Sequence, residues 1–194
     1  MAALELALKK INCMKTILLS LSLALLFMAQ SCKDDDDSPQ ESIDQLPPIT
    51  QTGEQTLGCL INGEPWVPSG FGNSAPRAFY QFVDGAFTLG ISGSMITDEK
   101  LVGLNIGALE IQELNEEEYA LVEFEPANFF GRISIDGGLI FTASTNSSLP
   151  GKLTISHFDQ ENFIISGSFE FTVRDEEGET YEITEGRFDL NYTN

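Results

Sequence analysis

The feature that most constrains the fold is a strict alternation of apolar and polar residues in the last third of the chain. A period of two places alternate residues on opposite faces of a β-strand, whereas an amphipathic helix needs a period of 3.6. The pattern therefore predicts a long strand over residues 163–173 with one buried face, formed by Phe163, Ile165, Gly167, Phe169, Phe171 and Val173.

The same alternation recurs from Gln55 onward and is interrupted by turn-forming residues at Asn62-Gly63, Asp84-Gly85 and Asp136-Gly137-Gly138. Such sequences tolerate the positive φ of tight hairpin turns. We therefore predict that residues 55–194 form an all-β domain of about ten antiparallel strands, either a β-sandwich or an up-and-down, lipocalin-like barrel. The predicted strands include residues 57–61, 64–67, 78–83, 86–92, 102–108, 119–124, 132–135, 139–143 and 152–158.

The parity of the apolar residues changes within the last predicted strand. Apolar residues alternate over 181–183 and again over 188–192, but the two sets have opposite parity. One face stays apolar only if the register slips between them. This predicts a β-bulge near Glu185-Gly186, where Gly186 would supply the unusual backbone conformation.

The N-terminal region has the layout of a secretory signal. Lys15 precedes residues 17–28, which are apolar apart from two Ser. This run is shorter than the roughly 20 residues of a membrane-spanning helix and fits the apolar part of a signal peptide. Met14 suits a translation start, with residues 1–13 as an upstream extension or a longer basic segment. The alternative is a buried core helix. The acidic run that follows soon after argues against this alternative.

This segment ends at Ala29-Gln30-Ser31-Cys32, where small residues before a Cys resemble a bacterial lipobox. The resemblance implies that residues 1–31 are a removed lipoprotein signal peptide. It also implies that Cys32 is acylated and anchors the chain in outer-membrane lipid, where each buried methylene contributes about 0.8 kcal/mol. Ordinary secretory cleavage that leaves an unmodified Cys32 is the alternative.

The residues after Cys32 are acidic. Lys33 followed by Asp34 and Asp35 resembles the surface-export signal of Bacteroidota lipoproteins, which implies that the protein faces the outside of the cell. The periplasmic leaflet is the alternative. Residues 32–54 are rich in Asp, Ser, Gln and Pro and lack apolar periodicity, so we expect a disordered linker there.

Residues at both ends of the β domain resemble a Bacteroidota lipoprotein family that has no established activity. The resemblance implies a cell-envelope compartment and this architecture, and it transfers no catalytic residue. It is carried by residues 51–53, 57–68, 151–159, 165–171 and 183–189.

The composition offers little for catalysis or metal binding. A formal net charge of −20 argues against a nucleic-acid partner, and one His with three Cys makes a zinc centre improbable. Cys59 lies in an apolar run and is expected to be a buried, inert thiol. His157 and Asp159 share a face but lack a nucleophile motif. We therefore predict no catalytic residue, no metal, no cofactor and no enzymatic activity; a glycan hydrolase with paired carboxylates is the least favoured alternative.

Aromatic residues are the candidates for ligand contact. Trp66 could stack on a sugar ring, and Phe71 and Tyr80 could line a barrel mouth that holds an apolar or glycan ligand. The alternative is that these residues fill the core. The expected function is a lipid-anchored, non-enzymatic module that binds an extracellular ligand or a partner protein. A structural envelope lipoprotein without a soluble ligand is the alternative.

Overall fold

The computed structural model describes residues 39–68, 72–97, 100–135 and 143–194. These residues hold a short helix α1 (Pro39–Asp44), a 3-10 turn (Gly72–Ser74) and eleven strands. The predicted sites at Cys32, Lys33–Asp35 and Phe71 and the turn at Asp136–Gly138 lie outside the described residues. The strands are Thr56–Ile61 (β1), Glu64–Trp66 (β2), Arg77–Val83 (β3), Ala86–Thr97 (β4), Lys100–Ile111 (β5), Glu118–Leu121 (β6), Phe129–Ser134 (β7), Ala143–Ser144 (β8), Gly151–Asp159 (β9), Ile164–Arg174 (β10) and Thr180–Thr193 (β11).

Eight of the strands in the described ranges follow one another around a barrel, in the order β3-β4-β5-β7-β6-β9-β10-β11. The circle closes where Tyr192 and Thr193 of β11 pair with Ala78 and Phe79 of β3. The β1–β2 hairpin pairs with the remainder of β11 and lies beside this closure. The all-β, barrel-like prediction is confirmed.

The sheet is mixed rather than purely antiparallel. The β11–β3 contact is parallel, and so is the contact of β6 with β7. A tight turn forces its two strands to be antiparallel, whereas the longer connection at 122–128 lets β6 and β7 run the same way. This connection also ends β6 at Leu121, short of the predicted 124.

Two of the predicted tight turns are confirmed. Asn62 and Gly63 have φ of 53° and 86°, and Asp84 and Gly85 have φ of 52° and 94°. Positive φ at both central residues is the type I′ geometry, whose twist matches that of the flanking strands. The third predicted hairpin pairs β7 with β8.

The predicted bulge in β11 is also confirmed. Its register against β10 slips between Phe169 and Phe171, so that two residues of β11 face one of β10. However, the residue with left-handed backbone is Glu185, with φ of 54°, rather than Gly186. Gly186 is required for space instead, because a Cβ there would collide with the carbonyl oxygen and ring of Phe169.

The core lies inside the barrel, on the face that the alternation predicts. From Ile165 to Val173 the predicted inward residues are buried. Phe163 is the exception: it is 41% exposed, because it precedes β10 and its φ of 56° turns it off the strand path. Ser166 is buried although it lies on the outer face of β10, because the chain before β1 covers it.

Residues 46–54, which we name the strap, cross the outside of the barrel. Leu46 is buried, and Gln51 Nε2 donates to the carbonyl oxygen of Ser156 on β9 at 3.1 Å. Together with α1, the strap gives residues 39–54 a defined structure where we expected the second half of a disordered linker. Composition did not indicate this, because three of the hydrogen bonds that hold the strap come from backbone N–H groups.

Asp189 is the residue that holds the strap. It is 1% exposed, and its carboxylate accepts hydrogen bonds from the backbone N–H groups of Thr52 (2.9 Å), Gly53 (2.8 Å) and Glu54 (3.2 Å). It also accepts one from the Ser166 hydroxyl at 2.7 Å. Burial by itself raises the pKa of this carboxyl, but the hydrogen bonds outweigh burial and lower the pKa to about 2.

Candidate functional site

The structure places Trp66 and Tyr80 at opposite ends of the barrel. Trp66 Nε1 donates to the carbonyl oxygen of Val102, near the start of β5, at 3.3 Å. The Tyr80 hydroxyl is hydrogen-bonded to the backbone of Leu114, just beyond the end of β5. A strand of 12 residues spans roughly 35–40 Å. The two residues therefore belong to separate regions, which we call the Trp66 end and the Tyr80 end.

A depression of about 400 Å³ opens at the Trp66 end. Trp66 is 1% exposed, so it contributes a covered wall rather than the exposed stacking platform considered from the sequence. The other walls are largely apolar, and the rim carries charges of both signs. The walls include Ile61, Val102, Ile135 and Tyr181, and the rim includes Glu64, Lys100 and Glu179.

The turn between β10 and β11 positions part of this rim. Asp175 accepts hydrogen bonds from the backbone N–H groups of Glu177 (3.0 Å) and Glu179 (2.8 Å) and from the Tyr181 hydroxyl (3.3 Å). Burial raises the pKa of Tyr181, and the negative charges of Asp175 and Glu179 raise it further. The hydroxyl of Tyr181 is therefore a neutral hydrogen-bonding group at the edge of the depression.

A cluster of aromatic rings closes the Tyr80 end. The ring of Tyr80 stacks on Phe87 with centroids 4.6 Å apart and meets Phe158 edge-on at 5.2 Å. Burial raises the pKa of Tyr80 to about 12. The cluster continues outward to Phe82 and Phe163, which are 64% and 41% exposed. Tyr80 thus fills the core beneath an exposed aromatic surface.

The loop between β5 and β6 lies beside this cluster and is fixed by hydrogen bonds. The backbone N–H of Asn115 donates to the Tyr119 hydroxyl at 2.7 Å, and the backbone N–H of Phe158 donates to Glu116 Oε1 at 2.8 Å. His157 Nδ1 lies 3.5 Å from the same Glu116 oxygen. The nearest described partner of His157 is thus a surface carboxylate.

Asp159, which the sequence places on the same face as His157, is engaged in hydrogen bonds within its own turn. Its carboxylate accepts hydrogen bonds from the backbone N–H groups of Glu161 (2.8 Å) and Asn162 (2.9 Å), which shapes the turn before β10. Hydrogen bonds from Asn162 lower its pKa. Cys59 is buried as predicted, and burial raises the pKa of its thiol. In the described ranges, no group of three or more His, Cys, Asp or Glu residues is arranged to hold a metal ion.

Sequence reasoning missed two features of these regions. The role of Asp189 has no local signal, since its partners lie 135 or more residues away in the strap. The exposed surface at the Tyr80 end could have been found from an uneven distribution of charge. The segments 79–88, 109–119 and 157–164 contain several acids and no Lys or Arg.

No protein-family model, curated protein or solved structure matches this chain. Within the part of the chain that the structure describes, no helix has the length and apolar character needed to cross a bilayer.

Proposed function

We propose that this chain is a lipid-anchored protein of the bacterial outer membrane whose β domain is a non-enzymatic binding module. The support for the anchor is the lipobox-like sequence that ends at Cys32. The support for an outward-facing position is the adjoining Lys33-Asp34-Asp35, which resembles a surface-export signal. Membership of a Bacteroidota lipoprotein family belongs to the same proposal.

The observation that carries the binding function is the depression at the Trp66 end. Its volume of about 400 Å³ is within the range of roughly 300–1,000 Å³ that is typical of small-molecule sites. Its walls are mainly apolar and aromatic, while Lys100, Glu64 and Glu179 provide polar contacts at the rim. This arrangement suits an extracellular ligand that has one apolar face and a few hydrogen-bonding groups.

The fluorescence of Trp66 gives a direct test, because Trp66 is the only Trp in the chain and lines the depression. The full-length chain, held in a mild detergent, would be titrated with neutral glycans, acidic glycans, lipids and short peptides. We expect one of these classes to give a saturable change in fluorescence and a higher melting temperature. Tyr181→Ala should weaken that binding about tenfold, because it removes one wall and a hydroxyl.

Lys152→Ala is the matched control, since Lys152 lies on the outside of the barrel between Glu118 and Glu170. It should leave the binding constant unchanged. The proposal is wrong if the folded protein responds to none of these ligand classes. A stable cross-link to one envelope protein in intact cells, without any soluble ligand, would favour the structural lipoprotein instead.

A further inference from the structure

The Tyr80 end presents apolar side chains to solvent on two sides of its aromatic cluster. Phe82 is 64% exposed and Val83, its neighbour in the β3–β4 hairpin, is 53% exposed. The ring of Phe82 contacts Phe87 at 4.9 Å, and on the other side of the cluster the ring of Phe163 contacts Tyr192 at 5.6 Å. These residues form the outer layer of one packed cluster rather than scattered surface positions. Large apolar side chains that are exposed around one packed cluster, unlike single scattered ones, indicate an interaction site.

The same end is strongly acidic. The three segments that build it, residues 79–88, 109–119 and 157–164, contain eight Asp or Glu residues and no Lys or Arg; the acids are Asp84, Glu110, Glu113, Glu116, Glu117, Glu118, Asp159 and Glu161. The single His of the chain, His157, lies beside Glu116. Glu118 is paired with Lys152 of β9, and the other acids leave the end with exposed aromatic rings and a surplus of negative charge.

The acids lie close enough to act on the rings. After burial, which is the largest cause, the negative charge of Glu113 contributes to the raised pKa of Tyr80. In the same way, the charge of Asp159 adds to the effect of burial on the pKa of Tyr192. Carboxylates from two different parts of the chain thus border the aromatic cluster, one on the β5–β6 loop and one at the end of β9.

We propose that the Tyr80 end is a docking surface for a basic segment of a partner protein, one in which Arg or Lys alternates with apolar side chains. Aromatic faces attract cationic side chains and also pack against their aliphatic stems. The surrounding carboxylates attract the same partner from a distance and exclude acidic ones. A membrane with anionic headgroups and a second copy of this chain, whose net charge is −20, are both disfavoured by repulsion.

The position of this end agrees with such a role. Helix α1, where the described chain begins, packs against β2, which belongs to the Trp66 end. The Tyr80 end therefore lies at the far side of the barrel from the point where the chain enters the domain. The docking surface is also separate from the Trp66 depression, so it does not depend on ligand binding there.

The test uses the full-length chain and a fluorescently labelled synthetic peptide in which Arg and Leu alternate, with binding followed by anisotropy. One control peptide has Glu in place of Arg, and a second has Ser in place of Leu. We expect the Arg–Leu peptide alone to bind tightly and to bind more weakly as salt is added, because the Debye length falls to about 10 Å at 0.1 M.

Variants locate the surface. Phe82→Ser combined with Phe163→Ser should weaken binding by about tenfold, because it removes both exposed rings. Ile96→Ser is the matched control: Ile96 is 70% exposed but lies at the opposite end of β4. Glu113→Gln should reduce the salt dependence. All of these side chains are exposed, so the melting temperatures of the variants should stay close to that of the wild type.

Several results would overturn the proposal. One is equal binding of the Glu–Leu peptide, and another is binding that the Phe82 and Phe163 changes do not affect. Phe82-dependent binding to phosphatidylcholine vesicles in place of the peptide would identify a lipid surface. Self-association that the double change abolishes would identify a second copy. Titration of Trp66 fluorescence in the same samples reports on the other end, so failure here is distinguishable from failure of the proposed function.

Discussion

Replacing Asp189 with Asn is the sharpest test of how the strap is held. Asn has the same shape as Asp but carries no charge, and one of its two acceptor oxygens becomes an NH₂ donor. In the native protein Oδ2 accepts from the backbone N–H groups of Thr52 and Glu54, and Oδ1 accepts from Gly53 and from the Ser166 hydroxyl. Either orientation of the amide therefore sets its NH₂ group against at least one backbone N–H of the strap.

The structure gives the expected magnitude. The shift in the pKa of Asp189 from 3.8 to about 2 corresponds to roughly 2 kcal/mol of stability, since one pKa unit is about 1.4 kcal/mol. A buried donor that loses its acceptor costs about 1–3 kcal/mol more. We expect Asp189→Asn to lower the free energy of unfolding by about 3 kcal/mol, measured by urea denaturation with Trp66 fluorescence at neutral pH. Asp159→Asn is the control, because the partners of Asp159 lie within three residues in a surface turn. It should lower the free energy of unfolding much less than Asp189→Asn does.

The pH dependence has a defined sign. The folded pKa of Asp189 is lower than the unfolded value, so its contribution is complete above the unfolded pKa of about 4 and is lost as the pH falls toward 2. Between about pH 4 and pH 2, the free energy of unfolding of the wild type should therefore fall by about 2 kcal/mol more than that of Asp189→Asn. If the two proteins have equal stability at neutral pH, or equal sensitivity to acid, the carboxylate does not hold the strap.

Three further predictions concern Glu110, Gly186 and the anchor. Glu110 has a left-handed φ of 53° at the end of β5, so Glu110→Gly should raise the free energy of unfolding by up to about 1 kcal/mol in urea denaturation. Gly186→Ala should lower the free energy of unfolding by about 2 kcal/mol or more, because the added Cβ would collide with the backbone and ring of Phe169. An unchanged midpoint of urea denaturation would contradict this close contact. Cys32→Ser should abolish metabolic labelling with a palmitate analogue and release the protein from the membrane fraction. Cys59→Ser, which alters a buried thiol, should retain both the labelling and the membrane association.

Structure that depends on the local alternation of apolar and polar residues could be predicted from the sequence. Alternation places a side chain on one face of a strand irrespective of what lies opposite, which is why the buried face of β10 and the bulge in β11 could be predicted. Asn-Gly and Asp-Gly act within four residues, so their turns could be predicted as well. The left-handed residue of the bulge could not: Gly186 has the greater conformational freedom, but contact with Phe169 decides its position and leaves Glu185 with the positive φ.

The features that were missed depend on distant partners. Trp66 could be predicted only as either core or exposed, because its burial depends on Val102 and on the walls of the depression. Residues 46–54 look like linker because their own side chains form no apolar pattern. Three of the hydrogen bonds that order them go to a carboxylate on β11, which composition and periodicity cannot reveal. Trp66 and Tyr80 were candidates, but the residues around them could not be predicted for the same reason, since each end of the barrel collects residues from several strands.

The strap also sets how far the domain can lie from its proposed anchor, and this can be tested. With the strap held, the chain between Cys32 and α1 consists of residues 33–38, which span at most about 20 Å when fully extended. Releasing the strap would extend this connection to residue 54, for a reach of roughly 75 Å. Energy transfer from Trp66 to a dansyl lipid, measured on acylated protein in vesicles, should therefore fall in Asp189→Asn and stay unchanged in Asp159→Asn. Equal transfer in all three proteins would mean that the carboxylate of Asp189 does not govern the length of the tether.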